Sequence, residues 1–373
     1  MKKILYIINV DWFFISHFLP VAIEAKKRGL EVHIACGLTD RLEFLEQKGF
    51  TVHPLSISRS GTGIIKELVS IVEIFNVIRL VNPDIVEFLT IKPILYGGII
   101  SRLLPSRKKV FYITGLGYVF TRNGVKGLIV RNIVKIFYRM ALSAKNTTVI
   151  TENIFDKNLI NSLNVLKSKN IKIIKGAGVD LKQYTYTEED TNEVTIIMAS
   201  RLLRDKGVFE YIKAAKVLKD RGLNATFELY GDVDEGNPTS ISFQELEHIR
   251  EEGYVSVHGF TSSIAQVFSK SNIIVLPSYR EGFPKVLVEA AACGRAIVTT
   301  DVPGCRDAIT VNKSGLLCKV KDVHSLAQQI EKLVLDQKLR MEMGKSGRSL
   351  AEKEFDIRKI TQEHFITYED NYV

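Results

Sequence analysis

Two glutamates eight positions apart, Glu281 and Glu289, lie in a segment whose residue types could bind a charged ligand. The pattern predicts a buried strand over 273–276, a turn rich in glycine and proline, and a helix that begins near Lys285. Both carboxylates can then face one ligand at the N-terminus of that helix. Free N–H groups at a helix start bind phosphate, and carboxylates accept hydrogen bonds from sugar hydroxyls. The segment therefore predicts a nucleotide-sugar site.

Two glutamates on a helix are more often a solvated face than a binding site. Here the residues around Glu289 are apolar or small, and a charge among such residues needs a partner. Those neighbours are Val286, Leu287, Val288, Ala290, Ala291 and Ala292. The local context thus favours the functional interpretation over the solvated face.

The run SYREGFPKVLVEAAACGRAIV resembles the signature of the family 4 retaining glycosyltransferases, in which seven residues separate two glutamates. Three other segments resemble motifs of that family in the same order. They are a diphosphate-binding segment (ASRL at 199–202 with DKG at 205–207), a loop beside the nucleobase (VHGF at 257–260) and an interdomain hinge (GAGVD at 176–180). The resemblance implies the GT-B fold, an α/β architecture of two Rossmann-like domains whose parallel sheets face each other across a cleft.

Arg201 and Lys206 are the candidate phosphate-binding cations. Departure of a nucleoside diphosphate builds negative charge on its β-phosphate, and positioned cations stabilise that charge. A basic pair in a loop is more often solvated, but the glutamates favour the functional interpretation. We assign catalytic roles to Arg201, Lys206 and Glu281, and the resemblance implies that Glu281 binds the transferred sugar and Glu289 the ribose. It also implies donor contacts from Gly259, Phe260, Gly282, Phe283, Pro284 and Lys285.

Asp232 and Asp234 form an Asp-x-Asp after a predicted strand. Another glycosyltransferase architecture holds a divalent metal with such a pair. Asp and Gly at this place are also ordinary turn residues, and two cations are already available for the phosphates. We therefore expect no metal and no cofactor, with a UDP-sugar as donor substrate.

The N-terminal half resembles the family more loosely. The segment NVDWFFISHF (9–18) stands where many members have a Gly-Gly loop, and YITGLG (112–117) lacks the histidine that many members carry. Both departures, with TTD (299–301) and GCR (304–306), resemble a bacterial branch that extends polyprenyl-diphosphate-linked oligosaccharides and includes N-acetylhexosaminyltransferases. His17 is a candidate contact to donor or acceptor, and Asp11 is a similar one, although a lone histidine beside aromatic residues is more often structural.

Apolar strands and helices alternate along the chain, beginning with a continuous strand over 3–9. This alternation predicts parallel sheets with right-handed crossovers and ligands at the carboxyl ends of strands. We expect an N-terminal acceptor-binding domain over 1–180 and a nucleotide-sugar domain over 181–355. The resemblance implies that 356–373 contain a helix that crosses back to the first domain.

Charge is unevenly distributed along the chain. Residues 1–180 hold 26 Lys/Arg and 13 Asp/Glu, and no acidic residue occurs from 88 to 151. Within that stretch, VKGLIVRNIVKIFYRMALSAK predicts an apolar helix with Arg131, Lys135 and Arg139 in one stripe, which suits an anionic membrane surface. An alternative is a helix whose basic side is solvated and whose other side packs on a core. We expect no nucleic-acid binding, since the patch has no recognisable binding motif.

No apolar run reaches the roughly 18 to 20 residues that span a bilayer. The start MKKILYIINVDWFF resembles a signal peptide, but it lacks a small-residue cleavage site and Asp11 interrupts it. The four cysteines have neither zinc-site nor disulfide-framework spacing and are expected to be reduced thiols. They are Cys36, Cys293, Cys305 and Cys318. We expect a cytoplasmic protein that is peripheral on the inner face of the plasma membrane.

The resemblance implies a retaining transferase that moves a sugar from a UDP-sugar to a polyprenyl-diphosphate-linked saccharide in bacterial surface-glycan synthesis, such as that of O-antigen. The sugar that we expect is an N-acetylhexosamine. The product would be an α-glycoside. No carboxylate is clearly placed as a nucleophile, which favours attack on the same face with the leaving phosphate as proton acceptor. Two alternatives stay open: a soluble transferase with a small-molecule acceptor, and a GT-B-like nucleotide-sugar-binding protein without turnover.

Overall fold

The computed structural model describes residues 1–57, 63–102, 108–116, 124–190 and 193–369 of the 373-residue chain. Parts of the acid-free stretch, with Gly117 of the YITGLG segment, lie outside these ranges. The chain divides into an N-terminal unit, Met1–Ala177 with Arg358–Val373, and a C-terminal unit, Gly178–Ile357. The division falls within the segment 176–180 that resembles the family's hinge.

Seven parallel strands form the sheet of the N-terminal unit, in the order β3-β2-β1-β4-β5-β6-β7. The strands are β1 Lys3–Val10, β2 Glu31–Gly37, β3 Thr51–Pro54, β4 Ile85–Leu89, β5 Lys108–Ile113, β6 Thr147–Thr151 and β7 Ile171–Ile173. Every residue of β4, β5 and β6 is buried. Strands with helices packed on both faces have this continuous apolar character, so the predicted parallel α/β arrangement is confirmed.

Eight helices of the described residues pack on this sheet. They are α1 Asp11–His17, α2 Leu19–Lys27, α3 Leu42–Gln47, α4 Ile64–Val81, α5 Ile91–Ile100, α6 Gly124–Leu142, α7 Ile154–Asn161 and the last helix, α15 Ile357–Glu369. The helix that the sequence predicted from about Phe18 to Arg28 is observed as α2, and the short helix α1 before it was not predicted. The chain is already helical directly after β1, where the Asp11 carboxylate accepts a hydrogen bond from the N–H of Trp12 (2.7 Å).

Helix α15 is held to the N-terminal unit by a buried polar cluster. The Tyr368 hydroxyl donates to Glu87 on β4 (2.5 Å), and the His364 ring stacks on Tyr112 of β5 at 5.4 Å. Burial raises the pKa of Glu87 to about 8 and lowers the pKa of His364 to about 3. Both groups are therefore held in their neutral forms, as burial of a carboxyl and an imidazole favours.

Six parallel strands form the sheet of the C-terminal unit, in the order β10-β9-β8-β11-β12-β13. The strands are β8 Thr195–Ala199, β9 Thr226–Tyr230, β10 Ser256–Gly259, β11 Ile273–Leu276, β12 Ala296–Thr300 and β13 Gly315–Cys318. The strand order reverses at β8, because the chain builds outward to β9 and β10 on one side and then returns to β11 on the other. Ligands of open parallel sheets bind at such a switch point.

Seven α-helices cover the two faces of the second sheet in the described residues. They are α8 Val208–Asp220, α9 Phe243–Glu252, α10 Ile264–Ser269, α11 Lys285–Ala292, α12 Pro303–Asp307, α13 Val323–Leu335 and α14 Gln337–Leu350. One apolar core lies between the sheet and α8, α9 and α13, and another lies on the side of α10 and α11. None of the helices in the described part of the chain combines the length and the apolar character needed to cross a membrane.

Candidate functional site

The predicted phosphate-binding and sugar-binding segments follow the two neighbouring strands of the switch point. Arg201 and Lys206 lie in the connection between β8 and α8, and Glu281 lies in the connection between β11 and α11. Strands β8 and β11 pair in parallel, with Ile273 opposite Ile196. The carboxyl ends of parallel neighbours meet at one edge, so the fold brings together the residues that the sequence predicted.

Hydrogen bonds fix these two connections to each other. The carbonyl of Asp205 accepts from the N–H of Tyr279 (2.8 Å) and from the hydroxyl of Ser278 (3.1 Å), while the Asp205 carboxylate pairs with Arg280 (2.6 Å). Gly207 has φ +78°, and a Cβ there would lie 2.3 Å from the carbonyl oxygen of Pro277. Only glycine therefore allows this approach, and Lys206 is held directly against the turn that carries Glu281.

The Lys206 ammonium donates to the Glu281 carboxylate, with Nζ and Oε1 2.5 Å apart. The two side chains are 21% and 11% exposed. A charge-assisted hydrogen bond of this kind holds both groups in place, and each keeps some access to solvent. The pair thus offers an anion-binding cation and a hydroxyl-binding carboxylate side by side.

Helix α11 begins at Lys285, as the sequence predicted, and has Pro284 at its N-cap. Phe283 is buried and packs edge-on against Phe355 at 5.5 Å. Its ring anchors the turn, so only its backbone remains for a ligand. Gly304 in α12 packs against the same turn, where a Cβ would lie 2.6 Å from the carbonyl oxygen of Glu281. The GCR segment therefore supports the Glu281 turn from behind.

Glu289 lies on the buried side of α11 and accepts a hydrogen bond from the hydroxyl of Tyr184 (2.7 Å). Lys285, one turn earlier, places its ammonium 3.5 Å from the same carboxylate oxygen. Burial raises the pKa of Glu289, and Lys285 and the Tyr184 bond oppose that rise. Sequence reasoning missed Tyr184, because no pattern links residues that lie so far apart in the chain.

The guanidinium of Arg201 pairs with Asp234, whose Oδ2 lies 2.8 Å from Nη1. Asp232, the other half of the Asp-x-Asp, accepts from the backbone N–H of Phe260 at 3.2 Å. Sequence reasoning considered both aspartates only as metal ligands or turn residues. In the described residues, no group of three or more His, Cys, Asp or Glu side chains could hold a metal ion.

The loop that resembles the nucleobase loop follows β10. Gly259 has φ +73°, its carbonyl accepts from the N–H of Gly231, and the Phe260 side chain is 75% exposed. Next to it, the rings of Tyr230 and His258 stack at 4.6 Å. The backbone of this loop is thus presented at the carboxyl edge of the sheet that also carries Arg201.

Comparison with known families identifies the fold and the activity. Residues 185–350 match the family described as Glycosyl transferases group 1, and residues 3–153 match Glycosyl transferase 4-like. The chain therefore carries a group 1 glycosyltransferase domain in its C-terminal half. The predicted family is therefore confirmed, and the region 185–350 contains every candidate site residue of the C-terminal unit.

Two relatives and one solved structure illustrate where this glycosyltransferase lies in the family. It is 29% identical to the N,N'-diacetylbacillosaminyl-diphospho-undecaprenol alpha-1,3-N-acetylgalactosaminyltransferase of Campylobacter jejuni, over 95% of each chain. It is 23% identical to the UDP-Gal:alpha-D-GlcNAc-diphosphoundecaprenol alpha-1,3-galactosyltransferase of Escherichia coli, over 79% of this chain and 78% of the relative. Anabaena HepE in complex with UDP and glucose superposes with a TM-score of 0.78 at 18% identity, over 99% of this chain and 100% of the other.

The candidate residues of the N-terminal unit have structural partners. Asp11 is fully buried and accepts from the backbone N–H (2.7 Å) and the hydroxyl (2.8 Å) of Thr39. It therefore holds the turn after β2, which favours the structural role, and a substrate contact of Asp11 stays a prediction. His17 stacks on Phe13 at 4.0 Å and places Nδ1 3.2 Å from the Phe13 carbonyl oxygen. A ligand contact of His17 stays a prediction.

Helix α6 of this glycosyltransferase exposes apolar side chains as well as part of its basic stripe. Arg131 and Lys135 are half-buried, whereas Arg139 is exposed and donates from Nε to the carbonyl of Leu163 (3.2 Å). Four exposed apolar side chains lie on another side of the helix and form what we call the apolar face of α6: Ile133 (47%), Ile136 (54%), Phe137 (43%) and Met140 (39%).

Proposed function

We propose that this glycosyltransferase moves an N-acetylhexosamine from a UDP-sugar to a saccharide carried on polyprenyl diphosphate, forming an α-linkage in bacterial surface-glycan synthesis. The observation that carries the proposal is the Lys206–Glu281 pair at the switch point, 2.5 Å apart and partly exposed. The similarity to the Campylobacter jejuni N-acetylgalactosaminyltransferase over 95% of each chain supports this donor and acceptor class.

The proposed chemistry uses the two cations for the leaving group. The bond between the sugar C1 and the β-phosphate oxygen breaks, and the charge that develops on the phosphate is stabilised by Lys206 and Arg201. Glu281 accepts hydrogen bonds from hydroxyls of the transferred sugar and so orients its C1. The acceptor hydroxyl bonds to C1 on the face that the phosphate leaves, and its proton passes to the departing phosphate oxygen. The products are UDP and the α-glycoside.

Glu289 is proposed to bind the ribose of the donor. Its buried carboxylate is held by Tyr184 and Lys285, so it is oriented before a ligand arrives. A ribose hydroxyl that donates to Glu289 would stabilise the ionised form, which burial alone disfavours. The exposed backbone of Gly259 and Phe260 is proposed to lie beside the base. We propose that no metal takes part.

We further propose that the N-terminal unit binds the surface of an anionic membrane, which would place the protein at the inner face of the plasma membrane. The support is the apolar face of α6. Ile133, Ile136, Phe137 and Met140 follow helical spacing and therefore share one side of the helix. The acid-free composition from 88 to 151 adds electrostatic attraction to anionic lipids. A lipid-linked acceptor would be presented at that surface.

The proposal is tested by a matrix of donors and acceptors with the purified protein. UDP-, GDP- and ADP-sugars are each combined with a polyprenyl-diphosphate-linked saccharide or with free saccharides, with and without EDTA. We expect product from one UDP-sugar and the lipid-linked acceptor, unaffected by EDTA. Product from free saccharides alone would favour the soluble transferase, and UDP-sugar binding without product under any condition would favour the binding protein. Loss of product in EDTA would restore Asp232 and Asp234 as metal ligands.

A further inference from the structure

The two cations assigned to the donor diphosphate pair with carboxylates that have different proposed roles. Lys206 pairs with Glu281, which is itself proposed to bind the transferred sugar, so that pair can persist in the donor complex. Arg201 pairs with Asp234 at 2.8 Å, and the proposed chemistry gives Asp234 no contact with the donor. The Arg201–Asp234 pair therefore opposes donor binding rather than taking part in it.

The backbone holds Asp234 in position. Its N–H donates to the Ser240 hydroxyl (3.0 Å), and its carbonyl accepts from the N–H of Asn237 (2.8 Å). The side chain of Asp234 is 15% exposed, against 43% for Arg201. The aspartate is thus the more confined partner, and a ligand can reach the arginine more easily than it can displace the carboxylate.

The loop that carries Asp234 is also tied to the phosphate-binding segment itself. Leu202 donates its N–H to the carbonyl of Asp232 (3.0 Å), and Arg204 donates its N–H to the carbonyl of Thr239 (2.8 Å). These bonds on either side of Asp234 hold its backbone close to Arg201. A diphosphate that reaches Arg201 therefore also approaches the negative carboxylate of Asp234, which repels it.

We propose that Asp234 is a built-in counter-ion that competes with the diphosphate for Arg201 and so promotes release of the UDP product. The inference rests on the proposed function, because it takes Arg201 as a diphosphate contact. Transfer leaves UDP with a terminal phosphate that can carry one more negative charge than the esterified phosphate of the donor, and UDP has also lost the sugar contact with Glu281. A fixed carboxylate beside Arg201 therefore disfavours product more than donor, which favours turnover where product release limits the rate.

The test is calorimetric titration of the full-length protein with UDP, comparing the wild type with Asp234→Asn. The matched control is Glu245→Gln, which neutralises the partner of Arg204 (2.6 Å) in the same segment and keeps a side chain that can cap α9. We expect Asp234→Asn to lower the Kd of UDP about two- to five-fold, as for loss of one partly exposed ion pair. Glu245→Gln should leave the Kd unchanged.

An unchanged Kd in Asp234→Asn would overturn the inference, and a higher Kd would mean that Asp234 instead orients Arg201 for the ligand. In an Arg201→Ala background the effect of Asp234→Asn should shrink, because the competition acts through the guanidinium. A wild-type protein that binds no UDP would refute the proposed donor and this inference together. UDP binding that is insensitive to Asp234→Asn would refute this inference alone.

Discussion

The two units of the molecule present their candidate residues differently. In the C-terminal unit, Lys206 and Arg201 lie at the carboxyl edge of the sheet, remain partly exposed and pair with carboxylates from neighbouring connections. In the N-terminal unit, Asp11 and Glu87 are fully buried, and α6 exposes its apolar face. The first arrangement can exchange charged partners with a ligand. The second keeps these two carboxyl groups inside and leaves an apolar surface for a partner.

This contrast suggests a division of labour within the proposed reaction. Donor recognition requires cations that can bind a phosphate and a carboxylate that can bind sugar hydroxyls, and the C-terminal unit offers both at one edge of its sheet. Recognition of a lipid-linked acceptor requires contact with an apolar and anionic surface, which the apolar face of α6 offers with its basic neighbours. Each half of the contrast can be tested by variants that change one unit and leave the other intact.

The largest effect is expected from Lys206→Ala. The variant removes one of two cations that stabilise charge on the leaving phosphate, and kcat should fall about 100- to 1,000-fold. Initial rates of transfer with saturating UDP-sugar measure the effect. Lys213→Ala, an exposed position on α8, is the matched control and should keep the wild-type rate. A Lys206→Ala enzyme with nearly normal kcat would show that the charge pairs of the C-terminal unit are structural.

A smaller effect is expected from Phe137→Asp on the apolar face of α6. Burying an aromatic side chain in a membrane interface is worth about 1.5–3 kcal/mol, so partitioning onto anionic vesicles should fall at least about ten-fold. Vesicle co-sedimentation measures it. Leu335→Asp, which changes an equally apolar and 73% exposed side chain of the C-terminal unit, should leave partitioning unchanged. Equal losses in both variants, or none, would contradict a membrane role for α6.

The smallest effect is expected from Tyr184→Phe, which removes the hydroxyl that donates to Glu289. Burial already raises the pKa of Glu289, and loss of this bond raises it further. Ribose binding needs the ionised carboxylate, so affinity is present above this pKa and is lost as pH falls through it. We expect UDP affinity to be a few-fold weaker and to be lost at a higher pH than in the wild type.

The pH dependence of UDP binding is followed by titration from neutral to mildly acidic conditions. Tyr96→Phe breaks a comparable tyrosine–glutamate bond, to Glu67 in the N-terminal unit, and should leave the profile unchanged. A Tyr184→Phe profile that superposes on the wild type would remove Glu289 from the ribose site.

The sequence predicted the C-terminal site well because its information is local. A strand, a Gly/Pro turn and a helix start follow one another within the Glu281 segment, and the structure has β11 and α11 at the predicted residues. The parallel order of the strands then brings Arg201 and Lys206 to the same edge. Motif spacing and strand alternation are both visible in a single sequence, and together they were sufficient for this part of the molecule.

The partners of these residues could not be predicted in the same way. Tyr184 reaches Glu289 across 105 positions, and Asp234 reaches Arg201 across 33, and neither contact leaves a pattern in the sequence. The apolar face of α6 was also not predicted. The sequence drew attention to the basic stripe of this helix, and the structure exposes apolar side chains on another side of it as well.

The Arg201, Lys206 and Glu281 site is proposed to transfer a sugar with retention. The anomeric configuration of the product tests this, read by NMR coupling constants after reaction of a UDP-N-acetylhexosamine with a polyprenyl-diphosphate-linked saccharide. We expect an α-linked product that is formed by the wild type and lost in Lys206→Ala. A β-linked product would contradict retention, and transfer of the sugar to water with no glycoside formed would contradict the transferase itself.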